Sequence, residues 1–269
     1  MPGQSLSFSG NDMPDYYDSF IFPINVKSLA MEVADRVLAL KPGKLLEIAA
    51  GTGAASECLI SRLNSATDYT LTDISNDMLE KARQRFKCSP HVECAVVDAT
   101  SIPYASATFD TLVCQLGLMF FSDRALALKE FRRVLQPGGK LVFSVWDSLE
   151  YHALINRILQ LLEEKYELTG SQHLGMPHCF FQLDTMKSML EMAGFQRLSF
   201  EVVSLTCPDA SITDTLRGTL KGIPLGEQLL ASGVEDLEGV IEAIKPSIER
   251  EFGDPLTGIQ RQAIIVSAA

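Results

Sequence analysis

The feature that most restricts this fold is residues 45–56, LLEIAAGTGAAS, an apolar run that ends in two glycines and continues with small helix formers. A buried strand, a tight glycine turn and a helix start, in that order, are how a parallel sheet offers backbone N–H groups to a nucleotide-like ligand. The surrounding chain keeps the same rhythm. Leu29, Val33, Val37 and Leu40 recur at helical spacing and predict a helix over 27–41, stopped by Pro42-Gly43. Strand 44–49 and helix 54–63 follow, then strand 69–73, helix 77–86 with Asn76 as N-cap, and strand 92–97. After an irregular stretch come strand 111–116, helix 124–135, a break at Pro137-Gly138-Gly139 and strand 140–146. Strands rich in Val, Ile and Leu on both faces, alternating with helices, predict an α/β fold with a doubly wound, mostly parallel sheet.

Beyond Trp146 the rhythm changes. A long amphipathic helix is predicted over 150–166, then a loop with Gly170, Gly175 and Pro177, a helix ending at Gly194, strand 196–205, and a closing strand over 258–267. Seven strands with the last antiparallel are expected. The stretches 148–183 and 207–255 are too long for simple connections. They predict a mainly helical cap on a single domain, 1–269, whose core comprises 27–147, 184–206 and 256–269.

The composition narrows the partners. Lys plus Arg number 23 against 34 Asp plus Glu, a net charge of −11 that repels phosphate backbones and anionic membranes. A small-molecule substrate is expected, with no nucleic acid. Six scattered cysteines without a C-x-x-C pair read as reduced thiols of a cytoplasmic protein. The first twenty residues lack a basic and an apolar leader region, and no apolar stretch approaches the roughly 18 residues of a membrane span.

Taken alone, the glycine turn leaves the cofactor open. Gly51-Thr52-Gly53-Ala54-Ala55-Ser56 approximates G-x-G-x-x-G, with Asp73 twenty residues beyond Gly53, as in a nicotinamide dinucleotide site. Glu47, inside the first strand, argues otherwise: a buried carboxylate needs a cationic or hydrogen-bonding partner and would repel a pyrophosphate. Asp73 can accept both hydroxyls of a ribose, and Asp98 stands where an adenine amino group could donate. Carboxylates at three successive strand ends suit an amine, a ribose and an adenine in sequence, as in S-adenosylmethionine.

Five segments then carry a resemblance: LLEIAAGTGAAS, LTDISNDMLEKARQRF, VVDATSIPYASATFD, LVCQLGLMFFSD and EFRRVLQPGGKLVFSVW. In order and spacing the chain resembles the class I S-adenosylmethionine-dependent methyltransferases of the type 11 or UbiE-like group, strongly over about 40–147. The resemblance implies that Glu47 holds the methionine amine and that the backbone of Ala49, Ala50, Gly51, Thr52 and Gly53 passes close to the methionine portion. It further implies that Asp73 binds the ribose beside Ile74 and Met78, that Asp98 and Ala99 address the adenine, and that Gln115, Leu116 and Gly117 face the methionine side. Tyr17 is expected to fold over the cofactor. Ala49 departs from the family pattern E/D-x-G-x-G-x-G at its first glycine, which is tolerable if that position keeps negative φ.

Methyl transfer to an amine or carboxylate needs no strong base, whereas a phenol or alcohol profits from one. Candidates are His152 and His178, with His173, Asp147, Glu150 and Tyr151 nearby. His152 shares a helical face with Ile155 and Leu159, which also suits a packing role. Both aromatic pairs, Phe120-Phe121 and Phe180-Phe181, read first as core; if one lines the pocket, Phe180-Phe181 is the candidate, because it falls in the extra segment. No metal site is expected, because His178-Cys179 lacks further ligands at suitable spacing. Val240, Ile241, Ile244 and Ile248 suit cap packing or a dimer contact, so a monomer or homodimer is expected. The expected activity is methyl transfer to a small organic acceptor, oxygen preferred, yielding S-adenosylhomocysteine. The alternatives are an S-adenosylmethionine-binding protein that transfers no methyl group, and a nicotinamide-dependent oxidoreductase.

Overall fold

The computed structural model describes residues 12–166 and 176–269. Strand β1, Lys44–Ile48, is buried from its second residue onward, as a central strand covered on both faces must be. It pairs in parallel with β2, Asp68–Asp73, and with β4, Phe109–Gln115. Strand β3, Val92–Val96, joins β2, and β5, Leu135–Trp146, joins β4, all parallel. Strand β7, Gln260–Ala268, lies antiparallel between β5 and β6, Leu198–Thr206. The sheet order is β3-β2-β1-β4-β5-β7-β6. The winding reverses between β1 and β4, which opens a crevice beyond the carboxyl ends of those strands.

Before the sheet, α1 (Met13–Tyr16) runs through a π-helical segment, Tyr17–Val26, into α2 (Lys27–Ala39). The helical chain thus begins well before the predicted residue 27. Helices α3 (Ala54–Ile60), α4 (Asn76–Phe86), α5 (Arg124–Val134) and α7 (Leu183–Met192) connect the strands. Ser75, not Asn76, caps α4: its backbone is extended and its side chain accepts from the Met78 N–H at 3.3 Å.

Pro137-Gly138-Gly139 does not precede the fifth strand but bulges within it. Phe109 pairs with Leu135 and Thr111 with Lys140, so the intervening turn loops out. Gly138 takes φ +79°, and a Cβ on Gly139 would lie 3.0 Å from the Gln136 carbonyl oxygen and 3.1 Å from that of Asp110. The predicted helix over 150–166 is divided at His152 into a 3₁₀ turn, Leu149–Tyr151, and α6, Ala153–Tyr166.

Two buried clusters result. One surrounds the sheet and includes Tyr69, Phe131 and Phe143. The other is formed by α6, α8 (Ile212–Lys221), α9 (Leu225–Ala231) and α10 (Leu237–Phe252). It encloses Val240, Ile241, Ile244 and Ile248 within this chain. Helix α8 meets the π-helical segment through glycines: a Cβ at Gly218 would lie 2.9 Å from Phe20 Cβ, and one at Gly222 would lie 3.1 Å from the Tyr17 backbone nitrogen. Close approach of the two backbones requires both positions to lack a side chain.

Candidate functional site

A cavity of about 730 Å³ lies over the carboxyl ends of β1 to β5 and continues under the helical cluster. Its wall at one end carries Glu47, Ala49, Ala50 and Gly51 after β1, and Asp73, Ile74 and Met78 after β2. Asp98 and Ala99 follow β3, Gln115, Leu116 and Gly117 lie at the end of β4, and Tyr17 lines the same cavity. Most of the predicted cofactor residues therefore share one surface.

Glu47 is 3% exposed, and its Oε2 accepts hydrogen bonds from the hydroxyls of Ser56, at 2.6 Å, and Tyr69. Burial pushes its carboxyl up; the two hydroxyls oppose that shift. Among the described residues no donor occupies Oε1. The carboxylate is thus held rigidly and half satisfied, which fits an incoming amine. Register explains the contact with Tyr69: Glu47 pairs with Leu71, which brings β2 side chains alongside.

Asp73 does two tasks. Its Oδ2 accepts from the Gly51 N–H at 2.8 Å and its Oδ1 from the Ser75 N–H at 2.8 Å, so it braces the glycine turn. Four lone-pair positions leave acceptor capacity for a ribose as well. Burial pushes its carboxyl up against those backbone bonds. Ile74 is 69% exposed, an apolar side chain left open on the cavity wall. Gln115 Nε2 is buried without a hydrogen-bond partner, a donor awaiting an acceptor. The Asp98 carboxylate accepts from its own Thr100 neighbour, through N–H at 2.8 Å and hydroxyl at 2.7 Å.

The glycine turn departs from expectation at Ala49, whose φ is +59° rather than negative. Its carbonyl and amide must follow the left-handed path of the turn, at a cost of about 1 kcal/mol for a residue with a Cβ. Thr52 and Gly53 do not line the cavity. The Thr52 hydroxyl donates to Asp18, and a Cβ at Gly53 would lie 2.6 Å from the Phe86 ring, so both serve the packing of the turn. Arg85 completes that brace, with Nη2 at 2.6 Å from Asp18 Oδ2. Asp18, Arg85 and Tyr69 escaped sequence reading because each acts through a partner remote in the chain, and the role of Ser56, read only as the third site of the glycine motif, because its hydroxyl turns back onto Glu47.

The other end of the cavity is lined by Trp146, Ile155, Leu159, His178, Gln228 and Arg261, with Phe120 and Phe121 between the two ends. The pair that lines the cavity is Phe120-Phe121 and not Phe180-Phe181: Phe180 is 4% exposed in the sheet core, beneath the Arg124 guanidinium at 4.8 Å, and neither Phe180 nor Phe181 reaches the cavity. His178 Nδ1 lies 2.8 Å from the Asp147 carbonyl oxygen. A carbonyl only accepts, so Nδ1 carries the proton and Nε2 keeps its lone pair. Burial pushes His178 down to about 4 despite that bond.

His152 does not line the cavity; its ring packs 4.3 Å from that of His178 and edge-on to Trp146. Burial, with His178 and Arg261 nearby, pushes it down to about 3. Asp147, Glu150 and Tyr151 also stand off the wall, and His173 lies outside the described residues.

Residues 46–143 match the family described as Methyltransferase domain. The ubiquinone/menaquinone biosynthesis C-methyltransferase UbiE of Ralstonia pickettii (strain 12J) is 32% identical over 180 residues, spanning 60% of this chain and 71% of that protein. Among solved structures, the phosphoethanolamine N-methyltransferase 2 of Haemonchus contortus, in complex with S-adenosyl-L-methionine, superposes with a TM-score of 0.61 at 14% identity. That match covers 97% of this chain and 58% of the other. The YcgJ protein of Bacillus subtilis matches with a TM-score of 0.55 at 16% identity, covering 88% of this chain and 97% of that one. At such identities the structural likeness shows the fold, while the sequence kinship with UbiE shows the family. The chain belongs to the class I S-adenosylmethionine-dependent methyltransferases, in their UbiE-like group, and its cofactor is S-adenosylmethionine rather than a nicotinamide dinucleotide.

Proposed function

We propose that the chain methylates a small organic acceptor held between the end of β5 and the helical cluster, with the cofactor across the ends of β1 to β4. The observation that carries this reading is one continuous cavity with carboxylates at three strand ends on one side and an unprotonated imidazole nitrogen on the other.

Bound there, S-adenosylmethionine supplies a methyl group on a sulfonium, already equipped with its leaving group. Glu47 Oε1 is the acceptor for the α-amino group, Asp73 for the ribose hydroxyls, and Asp98 for the adenine amino group. Ile74 and Met78 offer apolar surface to the base. Gln115 Nε2 gains the partner it lacks from the carboxylate of the methionine portion.

His178 is placed to accept a hydrogen bond from an acceptor hydroxyl at Nε2. An imidazole whose conjugate acid titrates at about 4 is a weak base, so it orients the hydroxyl and takes the proton only as methyl transfer acidifies it. Trp146, Ile155 and Leu159 exclude water from the approach.

The expectation that oxygen is the methylated atom finds no support in the UbiE relatives, which are named for carbon methylation. Both atoms fall within one class of nucleophile, the anion of a phenol or enol, which carries electron density on oxygen and on a conjugated carbon. Carbon has the support of the relatives' names.

The test is incubation of the full chain with methyl-labelled S-adenosylmethionine and a host-cell extract, followed by counting label in organic-soluble, protein and nucleic-acid fractions. Label in the organic fraction is expected, and mass analysis of that fraction then locates the methyl on carbon or oxygen. Label confined to protein or nucleic acid would overturn the small-acceptor reading.

A further inference from the structure

Arg261 enters the cavity wall from β7 and is 6% exposed. Among the described residues it has no carboxylate partner. Its guanidinium lies 5.3 Å from the centroid of the Trp146 ring, its hydrogen-bonding side-chain partner is the Cys207 thiol, and the neutral imidazoles of His152 and His178 stand close enough to feel its charge. Burial keeps that thiol above its ordinary range, so Cys207 stays neutral and does not balance the charge. An unpaired guanidinium in such surroundings is costly, and arginines this deeply buried are ordinarily paired. Because this guanidinium borders a cavity, a ligand group can supply the missing partner.

The charges of the cavity are segregated. Glu47, Asp73, Asp77 and Asp98 all stand at the ends of β1 to β3, and Arg261 is the only Lys or Arg among the described residues of the wall. An anion is repelled from the first end and drawn to the second. One guanidinium balances one negative charge, and its planar fork matches a carboxylate. A phosphate dianion would leave a charge uncompensated. The flanking Trp146, Ile155 and Leu159 are apolar, which suits a carboxylate borne on a hydrophobic body.

We propose that Arg261 is the substrate-recognition residue of the acceptor end, and that the acceptor is a small organic acid whose carboxylate seats on this guanidinium beside Trp146. The inference rests on the assignment of the β1 to β4 ends to the cofactor. Trp146 is the sole tryptophan, so its fluorescence reports this end alone.

The experiment titrates the full chain, with S-adenosylhomocysteine present, against a series of aryl and alkyl carboxylates, each paired with its primary amide. Carboxylates are expected to perturb Trp146 emission with affinities about ten- to a hundredfold above those of their amides, as for a charge-assisted pair. Arg261→Met is expected to erase that preference while raising the melting temperature of the ligand-free chain, since it removes a buried unpaired charge. A merely structural arginine would lower it. Equal affinity of acids and amides in the wild type, no binding by any acid of the series, or a preference that survives in Arg261→Met would overturn the proposal. Calorimetry with S-adenosylhomocysteine on the same samples separates the two readings, because loss of that binding refutes the cofactor placement instead.

Discussion

Ala49 and Gly117 face each other across the mouth of the switch point so closely that a Cβ on Gly117 would fall 2.5 Å from the Ala49 methyl. Ala49 already sits at φ +59°. Gly117→Ala is expected to destabilise the chain by about 1–3 kcal/mol through overpacking. Ala49→Gly relieves the left-handed strain, partly offset by greater freedom of the unfolded chain, for a net gain of about 0.5 kcal/mol. The double variant keeps a crowded contact with Cys114 Sγ, 3.0 Å from the same Cβ, yet should lose less than the sum of the singles. Urea unfolding of the four proteins measures this; strict additivity would show that the two methyls never meet.

Glu47, proposed as the acceptor for the cofactor amine, is expected to set the acid limb of cofactor binding. Its carboxyl titrates above the ordinary range because it is buried, and protonation removes the charge that attracts the amine. Affinity for S-adenosylhomocysteine is therefore expected to fall as pH drops through that raised value. Glu47→Gln should bind more weakly at neutral pH and lose much of the acid limb, the remainder belonging to Asp73, which is shifted the same way. The sign for stability is opposite. A raised folded-state value contributes stability at low pH that is lost as pH rises, so Glu47→Gln should flatten that loss in the ligand-free chain. Calorimetry and thermal melts across a pH series check both.

The paired imidazoles act in the other direction. His178 and His152 are pushed down to about 4 and about 3 from 6.5, so the unfolded chain binds protons more readily below 6.5. Stability they permit at neutral pH is expected to drain as pH falls from 6.5 towards 4, by about 3 kcal/mol for His178 alone. His178→Gln should show a shallower acid decline than wild type in melts compared at each pH. The same variant is expected to lower kcat for a hydroxyl acceptor while leaving S-adenosylhomocysteine affinity within about twofold, since a hydrogen bond at the acceptor end is lost.

Asp18 couples the π-helical segment to the glycine turn through Thr52 and Arg85. Asp18→Asn removes the charge from the Arg85 pair, in which both side chains are about three-quarters buried. A cost of about 1 kcal/mol, or several-fold in cofactor affinity, is expected because Tyr17, next in the chain, loses its anchor. Faster proteolytic cleavage near residues 17–26 in the unliganded variant, suppressed by S-adenosylhomocysteine, would accompany it. Unchanged affinity and unchanged cleavage would assign the pair to surface solvation.

Much of this molecule is local and was legible residue by residue. The alternation of apolar runs with helical spacing determined the strands and their parallel order, because a strand buried on both faces needs a continuous apolar run and a helix to return. That Glu47, Asp73 and Asp98 would share one cavity wall was legible for a related reason: each lies at a strand end, and strand ends converge at the switch point in any doubly wound sheet. Ser75 replaced Asn76 as the cap, and Pro137-Gly138-Gly139 became a bulge, because one residue of register or one added turn leaves no mark on the pattern. Tertiary structure decided the rest. Pairing of β1 with β2 brought Tyr69 to Glu47; closure of the helices over β5 buried His152 behind Trp146 and sent Phe180 into the core; the antiparallel return of β7 carried Arg261 into the cavity. These depend on which distant segments share a surface, and on the desolvation that follows, and neither is written in the neighbours of a residue along the chain.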